Sequence, residues 1–286
     1  MTTTTTTMTE SVPKGVSTVL RWWLSASQGG CDSIEAHTAT NPSIRWDQQV
    51  TTIIDVRGRE QNFTLDEQGF SLHSSATIFR DFENEEAIRA DYYKDVEEVA
   101  RRITGATRSH ASSQIKRMTH MDGGAPPIDK SSPATMIHSD YSYKGGSERF
   151  DGERNPGEIP EDWEKLRQTR WAALSIWRPI GKVTRDALCM ADRRTIAEET
   201  LQPLNFTRSK GAAHELFALK HAPGQQFYYK SLMGPDDFVA IKLFDTHKGV
   251  ARCTPHSSFQ TKEDYGEARS SHCTGSPTCR PARRGA

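Results

Sequence analysis

Two seven-residue runs restrict this chain most. Phe238 to Phe244 reads FVAIKLF and Trp171 to Trp177 reads WAALSIW. Each is continuously apolar apart from one polar residue, and each is too short for a buried helix. Runs of this kind are strands inside a sheet that is covered on both faces. The second run is stopped by Arg178-Pro179, because the residue before a proline is pushed out of helical geometry and proline cannot donate to a ladder. Further strands are expected at Val50 to Val56, His214 to Lys220 and Gln226 to Lys230. Another is expected at Ala251 to Thr254, leading into His256. Phe63 to Leu72 alternates around Gly69 as a hairpin would.

One long helix interrupts this pattern. Between Asn84 and Thr104, Ile88, Tyr92, Val96, Val99 and Ile103 recur at steps of three or four. Asn84 suits the N-cap, Glu85 and Glu86 the first turn, Arg101 and Arg102 the last, and Gly105 the left-handed stop. The fold class expected is mainly β with flanking helices (α+β), built on a double-sheet jelly-roll core.

A domain plan follows. Residues 1–15, opening on a threonine run, are expected to be disordered. Residues 16–269 form one domain, its first 35 residues an arm around the core. Met118 to Ser132 is a Gly/Pro-rich loop, Tyr143 to Asn155 a mobile flap, and Pro160 to Thr169 a short helix. Residues 270–286 are an atypical tail, expected to be disordered.

Composition narrows function. The 286 residues carry 37 basic and 37 acidic side chains. Zero net charge favours neither nucleic acid nor an acidic membrane as partner. No apolar run reaches membrane-span length. Five cysteines (Cys31, Cys189, Cys253, Cys273, Cys279) are an odd, irregularly spaced set. They read as reduced thiols of a cytoplasmic protein, not a disulfide framework. His272, Cys273 and Cys279 lack the second ligand pair of a zinc finger.

The chemistry lies in His138-Ser139-Asp140, at the end of a short apolar run. An imidazole and a carboxylate two residues apart on a strand point to one side. His256, in Pro255-His256-Ser257-Ser258-Phe259, is the candidate partner. Two imidazoles and one carboxylate form a facial set that leaves open positions on Fe(II). A jelly roll places such ligands inside its open end.

Several segments then resemble one family. Asp55-Val56-Arg57-Gly58, Leu65-Asp66, Gly69-Phe70, Tyr92-Tyr93 and Thr104-Gly105-Ala106 come first, followed by the HxD of His138 and Asp140. Ile176-Trp177-Arg178-Pro179-Ile180, Asp192-Arg193-Arg194-Thr195, Phe227-Tyr228-Tyr229, Met233 to Asp237, Lys242-Leu243-Phe244-Asp245 and Pro255 to Phe259 complete the series. From about residue 50 to 269 the chain resembles the fungal AsaB-type hydroxylase/desaturases, related to gibberellin GA4 desaturase-like proteins and a cephalosporin methoxylase subunit. The resemblance implies a cupin-like fold, Fe(II) and 2-oxoglutarate as cofactors, and hydroxylation or desaturation of a small secondary-metabolite intermediate. It implies His138, Asp140 and His256 as iron ligands. Arg269 stands where the family's co-substrate arginine would.

Arg178 is a second candidate cation for the pocket, against a structural arginine that pairs with a carboxylate at a strand end. Tyr141 and Tyr143 are read as pocket lining or as surface aromatics of the flap, Tyr228 and Tyr229 as strand packing. Lys242 and Asp245 are read as a structural pair. After Arg269 the chain departs from the family, and its Arg, Pro, Cys and Gly content resembles out-of-frame coding sequence. The alternative function is therefore a degenerate or accessory member. A zinc hydrolase on the same ligands lacks a general base beside His138-Ser139-Asp140.

Overall fold

The protein is described by a computed structural model covering residues 14–35, 43–118, 130–150, 159–207, 213–262, 264 and 270–280. Expectations for residues 1–13, for most of the 118–132 loop and for 151–155 of the flap lie outside these. In chain order the strands and helices are β1 (Gly15–Trp22), β2 (Ser33–Glu35), β3 (Asp47–Asp55), β4 (Phe70–Ser74), α1 (Glu85–Ala87), α2 (Tyr93–Thr104), β5 (Arg108–Ser109), β6 (Ser113–Met118), β7 (Lys130–Ser131), β8 (His138–Ser139), α3 (Tyr143–Arg149), α4 (Trp163–Leu166), β9 (Arg170–Pro179), β10 (Ala187–Ala191), β11 (Leu201–Thr207), β12 (Ala213–Leu219), β13 (Phe227–Tyr229), β14 (Asp237–Asp245), β15 (His256–Phe259) and β16 (Ser270–Arg280).

Two sheets face one another, as the jelly-roll expectation required. The first runs β1-β3-β13-β10-β15-β8-β12-β11-β2 and the second β4-β14-β9-β16-β6-β7, with β5 beside β16. Strand alternation gives each sheet two distinct faces. Trp171, Ala173 and Trp177 of β9, with Val239, Ile241 and Leu243 of β14, meet Leu188 and Met190 of β10 in the space between the sheets. The opposite face of β9 and β14 presents Leu174, Ile176, Phe238 and Ala240.

The helix covers that opposite face. Ile88, Tyr92, Val96 and Val99 pack there, as their spacing predicted. The Asn84 side chain accepts from the Ala87 amide at 3.1 Å, and Gly105 closes α2 at φ 67°. The one departure is a π-helical turn over Ile88–Tyr92. It joins α1 to α2 and keeps Ile88 and Tyr92 both buried.

Five expectations are corrected. Gly15–Trp22 belongs to a sheet and is not an arm around the core: it pairs antiparallel with Asp47–Asp55 along its whole length. Phe63 to Leu72 is no hairpin; only Phe70–Ser74 is a strand, and its partner is β14. Residues 251–255 form no strand, so His256 opens β15. The start of the supposed flap is the helix α3. Its paired glycines signal close approach and not mobility: a Cβ on Gly145 would lie 1.9 Å from the Glu215 carbonyl oxygen.

The fifth correction is the tail. Ser270–Arg280 is an interior strand, antiparallel to β9 over ten residue pairs and to β6 over six. A ladder is made by backbone groups, so a sequence without apolar alternation still fills a slot between two open edges. Buried His272 faces the helix. Its Nε2 lies 2.6 Å from the Gln114 side-chain oxygen, and its ring lies 5.4 Å from Phe82 and 5.2 Å from Tyr92.

Candidate metal centre

Register assembles the site. On β15, His256 pairs with Met190 of β10 on one side and with His138 of β8 on the other. Residues opposite one another in a ladder project to the same face. Met190 lies in the core between the sheets, so both imidazoles point into that space. Asp140, two residues after His138, returns to their side.

The result is a compact donor set. Ligand atoms of His138, Asp140 and His256 all lie within 4.8 Å of one another. The two rings have centroids 4.7 Å apart, and His138 Nε2 is 3.5 Å from Asp140 Oδ1. Both imidazoles are buried, while about a third of the Asp140 side chain is exposed (34%).

Backbone carbonyls fix the tautomers. His138 Nδ1 lies 2.8 Å from the Met136 carbonyl oxygen, and His256 Nδ1 lies 2.9 Å from that of Thr254. Each Nδ1 must donate its proton there, which leaves each Nε2 lone pair free for a metal. Burial pushes the His256 pKa down to about 4, with the charge of His138 adding to it. Burial alone would raise the Asp140 pKa. Its hydrogen bond to His138 and the charges of His256, His138 and Arg117 outweigh that and hold it well below the carboxylate range. At neutral pH Asp140 is thus an anion and His256 a neutral base. Such a hard-and-borderline set with an open side suits a divalent first-row metal.

Other residues singled out from the sequence lie elsewhere. Arg178 is buried on the helix-side face, not in the pocket. Among the described residues it pairs with no carboxylate: Nη1 donates to the Ser75 carbonyl at 2.9 Å and to that of Pro235 at 2.8 Å, and the guanidinium lies over Phe238. The alternation of β9 explains this, since Arg178 is in phase with Leu174 and Ile176. Arg269 lies outside the described residues.

Lys242 and Asp245 do form a structural pair at 2.9 Å. Asp66 and Arg170 join them, with Lys242 2.7 Å from Asp66 and Arg170 2.8 Å from Asp245. Tyr141 is not a surface aromatic. It is buried, with its ring 6.3 Å from Phe150 and 5.6 Å from His214. Tyr143 is half-buried, its hydroxyl donating to Glu198 and its ring carrying the Arg252 guanidinium at 3.8 Å. Tyr228 and Tyr229 pack on Phe63 and Phe259, as strand residues should.

A two-sheet jelly roll with a His-x-Asp and a distal His is the arrangement found in Fe(II)/2-oxoglutarate-dependent oxygenases. Residues 27–272 match the family described as an oxidoreductase/YMDC permease-like domain; no helix among the described residues is long and apolar enough to cross a membrane. The chain is 31% identical over 269 residues to the hydroxylase/desaturase CTB9 of Cercospora beticola, covering 87% of this chain and 82% of that protein. It is 27% identical over 277 residues to the hydroxylase/desaturase efuI of Hormonema carpetanum, covering 90% and 92%. In fold it superposes on the iron and alpha-ketoglutarate-dependent endoperoxidase NvfI with a TM-score of 0.78 at 22% identity, over 93% of this chain and 98% of that one. The protein belongs to this fungal hydroxylase/desaturase family and is an Fe(II)/2-oxoglutarate-dependent oxygenase.

Proposed function

We propose that His138, Asp140 and His256 hold the iron, and that the protein hydroxylates or desaturates a small secondary-metabolite intermediate in the space between its sheets. The observation that carries this reading is the pair of Nδ1 contacts to the Met136 and Thr254 carbonyls. They aim two Nε2 lone pairs at one point beside a carboxylate. Bound there, Fe(II) with 2-oxoglutarate and O2 supplies the oxidant for a substrate C–H bond.

The chain's own contribution is placement and exclusion of water. Asp140 offers negative charge from the open side, and the buried imidazoles close the other. Met190, in register with His256, gives the site an apolar wall. Zero net charge supports a small-molecule substrate over nucleic acid or a membrane surface. Buried free Cys31, Cys189 and Cys253 support the cytoplasm as its compartment.

The test is anaerobic addition of Fe(II) and 2-oxoglutarate to purified protein. A weak visible charge-transfer band is expected, absent in His256→Ala and His138→Ala. Folded wild-type protein that binds Fe(II) and 2-oxoglutarate without that band, or variants that keep it, would refute the ligand assignment.

A further inference from the structure

A site that takes a 2-oxo diacid needs a cation for the carboxylate remote from the metal. Strand β16 does not set one in register with the inward face of β9. In register, Ser271 pairs with Pro179, Cys273 with Trp177, Gly275 with Ser175 and Pro277 with Ala173. Trp177 and Ala173 face the space between the sheets, and these four are the β16 residues in register with that face of β9. None is an arginine or lysine.

The next strand does carry one. Arg117 of β6 pairs with Ser271, and Ser271 pairs with Pro179. Arg117 is therefore in phase with Trp177, on the face of the second sheet that looks into the space between the sheets. Its neighbour Lys116 has the opposite phase, in register with His272, and is used up in an ion pair with Glu83 at 2.8 Å.

Arg117 is partly buried. Nη1 donates to the Ser132 carbonyl at 3.0 Å, which steadies the guanidinium. Among the described residues it has no carboxylate within ion-pair distance. Ser132 leads towards β8, and two residues on the Ala134 carbonyl accepts from the Ser258 amide of β15 at 2.8 Å, which ties this segment to the strand that carries His256. Lys230 is committed to Asp237 and Glu60, Arg193 to Glu198, and Arg170 and Lys242 to the outward Asp66–Asp245 cluster.

We infer that Arg117 of β6 anchors the remote carboxylate of 2-oxoglutarate in this protein. The guanidinium fork suits a carboxylate, and one of its edges is already fixed by Ser132. The inference rests on the iron and 2-oxoglutarate reading above.

The experiment measures binding, not turnover. Anaerobic Mn(II)-loaded protein is titrated with 2-oxoglutarate and with 2-oxovalerate, which has the same chelating end and no remote carboxylate. Wild type is expected to prefer 2-oxoglutarate. In Arg117→Gln that preference should fall about 10- to 100-fold, the range of a lost charge-assisted hydrogen bond. Mn(II) affinity and 2-oxovalerate binding should stay unchanged, and Arg117→Lys should recover part of the preference. A preference kept in full by Arg117→Gln overturns the assignment while leaving the metal centre standing. A wild type that binds Mn(II) but neither 2-oxo acid overturns the co-substrate reading itself, and this inference with it.

Discussion

Deleting Ser270 to Ala286 should unfold the protein. The deletion removes β16, which lies between β9 and β6 with ten residue pairs on one side and six on the other. An antiparallel ladder makes roughly one hydrogen bond per pair, each worth about 0.5–1.5 kcal/mol net. The loss is therefore on the order of 10 kcal/mol, comparable to the whole stability of a typical domain. Buried His272 and Thr274 go with it, leaving Phe82 and Tyr92 without their covering ring. The assay is soluble yield, far-ultraviolet circular dichroism and thermal melting, against a control lacking only residues 281–286. The control should melt like wild type, and the longer deletion should show no cooperative transition. A cooperative melt of the longer deletion within a few degrees of wild type would refute the interior placement of β16.

Two further outcomes follow from particular side chains. Burial, with the nearby charge of Lys116, lowers the His272 pKa to about 4 in the folded protein, whereas the unfolded chain takes up that proton near 6.5. The unfolded state thus binds more protons between these values, and stability falls as pH drops from about 6.5 to 4, by up to about 3 kcal/mol from this residue. His272→Gln should flatten thermal melting against pH in that window, and a slope parallel to wild type would count against it. Gly145→Ala should destabilise by about 1–3 kcal/mol in chemical denaturation, although alanine is the better helix former by up to ~1 kcal/mol. The added methyl meets the Glu215 carbonyl, a backbone group that cannot swing aside; a stabilised variant would show that α3 is free to move.

What was legible in the sequence depended on how local its cause was. The helix declares itself because Ile88, Tyr92, Val96 and Val99 all use one face, which a period of 3.6 reveals. The His-x-Asp motif spans three residues, and the order of family segments supported the distant His256 as its partner. Arg178 shows the limit: its type suggested a pocket, and its phase on β9 decided otherwise. Arg117 was invisible for the same reason in reverse, because its direction depends on a register relayed through β16 to β9. Gly145 and Gly146 read as mobility, since a sequence does not say which backbone lies against them. The tail misled most, because backbone pairing needs no apolar pattern when both neighbouring edges stand open.

The order of β6, β9 and β16 along the chain has a consequence during synthesis. Strands β6 and β9 leave the ribosome about ninety residues or more before the strand that joins them. Until then each offers a bare row of amides and carbonyls to any other extended chain. Protection of these edges is thus deferred to a late event, and a cell that makes this protein must shield the nascent half-sandwich until β16 arrives.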